Sequence, residues 1–162
     1  MSKGVKRVTL ITLALSACLA WFVVFRHDQD EIRGQLSALI SEVNGASAEL
    51  SDTRARAARI GQYFTPDVIV EFGIGRSAIQ DRETLVDVAT RLLPRISTLA
   101  AALADTDVRV LDNGRADVTL TLVTHDRGSD SHDLEPCELS LGFLKVEGAW
   151  RIRHVALVDL FR

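Results

Sequence analysis

Beyond residue 25 the apolar positions switch back and forth between two periods, and each period predicts a different kind of element. Ile32, Leu36, Leu39, Ile40 and Val43 recur at i, i+4, i+7, i+8 and i+11, which is one face of a helix. Asp28 is placed to cap that helix, and Asn44-Gly45 ends it. A second helix is predicted over 48–64, with Leu50, Ala57, Ile60 and Phe64 as its stripe and Thr65-Pro66-Asp67 as its stop. A short strand over 68–72 and a turn over 73–77 follow. Asp81 then opens a third helix, in which Leu85, Val88, Ala89, Leu92 and Leu93 share a face until Pro94. After a transitional stretch the period drops to two. Strands over 107–111 and 116–124 flank Asp112-Asn113-Gly114, and strands over 137–146 and 150–160 flank Glu147-Gly148, which are both hairpin signals. Helices followed by an antiparallel meander predict an α+β fold, with about three helices packed on a curved, mainly antiparallel sheet.

A run without any period comes first. Residues 8–25 are uncharged and apolar, with Lys3, Lys6 and Arg7 before them and Arg26 after. Eighteen helical residues would rise about 27 Å, close to the hydrocarbon thickness of a bilayer. The basic flank favours a cytoplasmic tail at 1–7, a single transmembrane anchor at 8–25 and a periplasmic domain at 26–162 in a bacterial inner membrane. Trp21, Phe22 and Phe25 fit the far headgroup layer. Two other uses of the segment stay open. Leu15-Ser16-Ala17-Cys18 has the form of a lipobox, which would acylate Cys18, and residues 8–17 match the core of a cleavable signal.

Charge narrows the partners. Only three of the 19 Lys and Arg precede residue 26, so 16 remain beyond it against 22 Asp and Glu, a net of −6. That sign argues against nucleic acid. Cys18 and Cys137 lie on different sides of the predicted membrane boundary, so no disulfide is expected and the core must hold the fold.

Three stretches carry a family resemblance: 63–71 (YFTPDVIVE), 81–85 (DRETL) and 145–152 (KVEGAWRI). With this order of elements, the chain resembles the nuclear transport factor 2-like superfamily, the cone-shaped roll of ketosteroid isomerase, scytalone dehydratase and the polyketide cyclases. The resemblance implies that any acid or base would point into the cone. At the two positions where it implies isomerase-type aspartates, this chain has Phe72 and Gly142. A carbon acid cannot be deprotonated without a base within reach, so that activity is not expected.

Alternation sorts the strand side chains between two faces. Val68, Val70, Phe72, Val118, Leu120, Leu122, Leu139, Leu141, Phe143, Trp150, Ile152, His154, Ala156, Val158 and Leu160 are expected to face inward, with Cys137 in phase. Tyr63, Phe72, Cys137 and His154 are the candidate pocket residues. The bland alternatives are a core histidine, a small buried thiol with no basic neighbour, and a tyrosine hydroxyl in water. The other face takes Val123, Leu144, Val155 and Leu157 among Thr119, Thr121 and Ser140, a mixture suited to a transient protein interface. The loop over 125–133 holds two histidines and three aspartates, but its spacing matches no zinc or calcium motif. Gly73 and Gly75 lack the rest of a dinucleotide fingerprint.

The expectation is a non-enzymatic, membrane-anchored interaction or scaffold protein, an accessory subunit of an inner-membrane complex, with the bilayer and protein partners, a second copy included. No catalytic residue, cofactor, metal or nucleic acid is expected. In architecture it is similar to the assembly subunits of type IV secretion systems and to small membrane proteins of mycobacterial lipid-import complexes. The alternative is a binder of a small apolar molecule, or a dehydratase- or cyclase-like enzyme, using His154 and Tyr63.

Overall fold

The computed structural model describes residues 26–45, 50–71, 77–128 and 135–158. The run over 8–25, Phe72 and residues 129–133 of the His/Asp loop lie outside them. Among the described residues no helix is long and apolar enough to cross a membrane. Helix α1 spans 26–44, α2 Leu50–Gly61 and α3 Arg82–Leu92. The strands are β1 (Phe64–Glu71), β2 (Ser77–Ile79), β3 (Leu99–Leu111), β4 (Arg115–Asp126), β5 (Cys137–Val146) and β6 (Ala149–Leu157). They form one sheet in the order β2-β1-β6-β5-β4-β3, antiparallel except where β1 runs parallel to β6.

Local chemistry explains most of the boundaries. Asp81 caps α3, accepting from the Thr84 N–H at 2.7 Å and the Thr84 hydroxyl at 2.8 Å. Glu147 and Gly148 both have positive φ, at 51° and 83°, as the tight β5–β6 turn requires. Four expectations need correction. Phe64 to Asp67, expected as the end and stop of the second helix, open β1, and Ser77, expected in a turn, opens β2. Asp28 does not cap α1, because residues 26 and 27 are already helical and its side chain turns to the sheet. The transitional stretch before 107 is strand: β3 begins at Leu99, its alanines drawn into the sheet by pairing with β4 out to Asp126.

Bulges interrupt four ladders, the first between β1 and β2, where Val70 lies opposite Ile79 and Glu71 opposite Ser77. Phe64 lies opposite Ile152 and Ile69 opposite His154, so five steps on β1 match two on β6. On β3, Ala104 faces Thr121 and Asp107 faces Thr119, with Asp105 at φ 47°. On β6, Ile152 faces Phe143 while His154 faces Gly142, which leaves Arg153 as an extra residue. Each extra residue increases twist and exchanges the faces beyond it.

Helix α1 lies along the free edge of β3. The Gln29 amide donates to the Val108 carbonyl at 3.1 Å. Asn44 both donates to the Ala101 carbonyl at 2.8 Å and accepts the Ala101 N–H at 2.7 Å. Fifteen helical residues and seven strand residues both span about 22–23 Å, so the two fastenings match. This satisfies backbone groups of an edge strand that would otherwise invite pairing. The core beneath joins Ile32, Leu36, Ala57, Ile60 and Leu93 of the helical layer to Val68, Val70, Val108, Val118, Leu120, Leu141, Phe143, Trp150 and Ile152 of the sheet.

Candidate functional site

The two hairpin turns, β3–β4 and β5–β6, lie side by side, joined by the Lys145 N–H donating to the Gly114 carbonyl at 2.8 Å. Beside them sits a polar group that no local pattern predicts. Asp28 Oδ1 accepts from Lys145 Nζ at 2.6 Å and from Trp150 Nε1 at 3.2 Å. Lys145 also stands over the Trp150 ring, 5.3 Å from its centre. Burial pushes the Asp28 carboxyl up. Hydrogen bonds from Lys145 and Trp150, with the charges of Lys145 and His27, outweigh it and hold the group below its ordinary 3.8. The arrangement is therefore a fixed carboxylate fastening α1 to the β5–β6 hairpin, and no proton donor at neutral pH. The Lys145–Trp150 pairing follows from the tight turn; their partner 117 and 122 residues away has no sequence signal.

At the opposite end of the sheet the inner face stays apolar but is less covered. Leu103 faces Leu122, Leu122 faces Cys137 and Leu139 faces Leu157. Leu103, Leu122 and Leu139 are half-buried, and Leu157 is 42% exposed. Burial pushes the Cys137 thiol above its ordinary 9.0, which keeps it protonated and weakly nucleophilic at neutral pH.

The candidate pocket residues do not converge. His154, expected inward, lies beyond the Arg153 bulge, opposite Gly142 and Ile69 on the outer face. Its Nε2 is 3.5 Å from Glu71 Oε2, and both side chains are about two-fifths exposed (40% and 39%). Such a surface contact contributes little to stability. Tyr63 is in the turn just before β1, its carbonyl accepting from the Ile152 N–H at 2.8 Å. It borders a polar cleft of about 260 Å³ with Glu42, Arg59, Gln62 and Arg151. Cys137 is at the far end of β5.

The interface candidates also divide. Val123, opposite Ala102, and Leu144, opposite Arg115 and Arg151, are on the outer face as expected. Val155 and Leu157 are on the inner face instead, opposite Leu141 and Leu139, because the same bulge inverts their phase. His125 and Asp126 belong to β4, not to a loop, and among the described residues no cluster of three metal-ligating side chains occurs.

Solved structures share this architecture. One is an NTF2-like protein with a cystatin-like fold from Novosphingobium aromaticivorans, with TM-score 0.69 and 15% identity over 88% of each chain. Another is an NTF2-like protein of unknown function from Pseudomonas putida KT2440, with TM-score 0.67 and 12% identity over 85% of this chain and 89% of that one. A third is a candidate scytalone dehydratase from N. aromaticivorans, with TM-score 0.60 and 14% identity over 80% and 82%. No family model and no curated protein matches the chain. At such low identity the likeness is one of fold, not of activity.

Proposed function

For a chain whose described residues form a nuclear transport factor 2-like roll, we propose a non-enzymatic role: a membrane-held interaction module, an accessory subunit of a bacterial inner-membrane complex. Residues 1–7 form its cytoplasmic tail, 8–25 its span and 26–162 its periplasmic domain. One observation supports the non-enzymatic part of this reading. The layer between sheet and helices is filled by apolar side chains, from Val68 through Phe143 to Trp150, while the β6 bulge turns the imidazole of His154 out to the surface. Chemistry-bearing groups then serve the exterior, where Val123 and Leu144 lie among Thr119, Thr121 and Ser140. The test is alkaline carbonate washing of native membranes, then mild-detergent purification. The chain should resist the wash and bring a partner with it. Release by carbonate would remove the anchor, and loss of attachment on Cys18→Ser alone would favour acylation of Cys18.

A second reading is favoured by the half-buried inner end. Leu103, Leu122, Leu139 and Val155 would suit one small apolar molecule, with Cys137 alongside. Native mass spectrometry of the purified chain should then find a bound lipid that Leu139→Trp displaces.

A further inference from the structure

The outer sheet face changes character from row to row. Nearest the hairpin turns, Leu111 faces Arg115, Arg115 faces Leu144 and Leu144 faces Arg151, so four strands contribute two leucines alternating with two arginines. Val146 shares the face two residues beyond Leu144; it is 39% exposed and Leu111 37% exposed. Acidic groups enter the rows farther away, first Asp117 opposite Arg109 and Gly142, then Asp107 opposite Thr119, with Glu71 on that face of β1. Carboxylates do belong to the hairpin end: Asp112 and Glu147 at the turn tips, and Asp28, Asp30 and Glu31 in the first turns of α1, where Asp28 is paired with Lys145 and Asp30 stands near Arg33.

The position of that row relative to the rest of the chain decides what it meets. Asp28 ties the β5–β6 hairpin to the first turn of the described part of α1 through Lys145 and Trp150. Arg26 to Asp28 is about 3 Å of helical rise, and the apolar run over 8–25 is bonded directly to Arg26. From there α1 leads away towards Asn44 and the start of β3. If 8–25 lies in a bilayer, the hairpin end is therefore at its surface and the half-buried end points away. Aliphatic side chains, exposed at Leu111 and Val146 and half-buried at Leu144, interleaved with arginines suit that boundary: the aliphatic groups enter the acyl margin and the guanidinium groups stay at the phosphates.

We propose that the row Leu111–Arg115–Leu144–Arg151, with Val146, is a docking surface for anionic phospholipid headgroups and seats the roll on the membrane with its hairpin end down. This rests on the span assigned to 8–25 under the proposed function. Arg151 takes part from the strand's margin, where it also borders the Tyr63 cleft.

The test uses the full chain in a Cys18→Ser, Cys137→Ser background, with a dye on Val146→Cys or, in a second version, Leu111→Cys. It is reconstituted in phosphatidylcholine vesicles containing phosphatidylglycerol and headgroup-quencher lipids in both leaflets. Dye at 146 and 111 should be quenched, and dye on Leu157→Cys should not. Arg115→Glu should lower the docked-to-free ratio roughly fivefold or more, the weight of a basic side chain at an anionic surface. Omitting phosphatidylglycerol should act in the same direction. Absent quenching at 146 and 111, or equal quenching at 157, in a chain that still resists carbonate would overturn the docking while leaving the span intact. Quenching that ignores phosphatidylglycerol would overturn the anionic assignment. Release of the chain by carbonate would instead remove the span, and the orientation with it. Cross-linking of 146 to a protein in native membranes, without quenching in vesicles, would give the row to a protein partner and overturn the lipid assignment.

Discussion

The hairpin end and the far end of the inner sheet face carry the same kind of side chain and reach different burial. Around the hairpins Val108 is 4% exposed, Ile152 2% and Trp150 0%, whereas Leu157 at the far end is 42% exposed. Hydrophobicity does not explain the contrast, since the far end is leucine-rich. What differs is how the helical layer is fastened. At the hairpin end α1 is held by a partly buried charged hydrogen bond and lays Ile32, 0% exposed, into the core one turn later. At the far end it is held through Asn44 to the Ala101 backbone, and Arg127 reaches the carbonyls of Ser97 and Asn44. Those contacts secure backbone without covering side chains. One end is built to be stable, and the other leaves apolar surface within reach.

The largest expected effect comes from emptying the buried end. Trp150→Ala should cost about 3–5 kcal/mol in urea unfolding of the detergent-solubilised chain, against about 1–2 kcal/mol for Leu139→Ala. Equal losses would mean that the two ends do not differ energetically. Next comes the phase beyond the β6 bulge. Val155→Asp should cost about 2–4 kcal/mol, because it puts a charge against the core, while His154→Asp on the outer face should stay within about 0.5 kcal/mol. The reverse order would restore simple alternation and remove the bulge.

Asp28→Asn should cost about 1–3 kcal/mol by weakening the bond to Lys145. The sign of its pH dependence follows from the carboxyl being held below 3.8. Just beneath that value the folded chain binds fewer protons than the unfolded one. The Asp28 contribution is therefore complete above it and lost as pH falls through the lowered folded value. Asp81 shifts in the same direction, so the informative quantity is the difference between wild type and Asp28→Asn, which should vanish in acid. A difference that stayed constant down to full protonation would detach the stabilisation from the carboxylate's charge. The smallest effect belongs to the exposed end: Leu157→Ala should cost under about 1 kcal/mol, since little area leaves water there on folding. A larger loss would show Leu157 covered in solution.

Much of the fold was legible locally. The stripe of α1, that of α3 apart from Leu92, which is 45% exposed, the Asp81 cap and both hairpin turns rest on interactions within a few residues, and the phase of β4, β5 and the first half of β6 followed from alternation. The start of β3 was not legible, because its alanines favour a helix until β4 lies beside them. The candidate site was legible only in part: Val123 and Leu144 kept their expected face, whereas His154, Val155 and Leu157 lie past an added residue that leaves no mark in composition.

By itself, then, the sequence determined the order of the three helices and the five longer strands, the α+β class, Val68, Val70 and the apolar inner set of β4, β5 and β6 up to Ile152, and the uncharged run that precedes them. Each is a statement about which side chains avoid water and which backbone angles a residue tolerates, and a neighbourhood of a few residues decides it. Only the tertiary structure decided that Asp28 meets Lys145 and Trp150, that α1 covers the β3 edge, and that the end of β6 presents its other face. Those outcomes depend on where distant strands place a partner, and alternation keeps count only along an unbroken ladder.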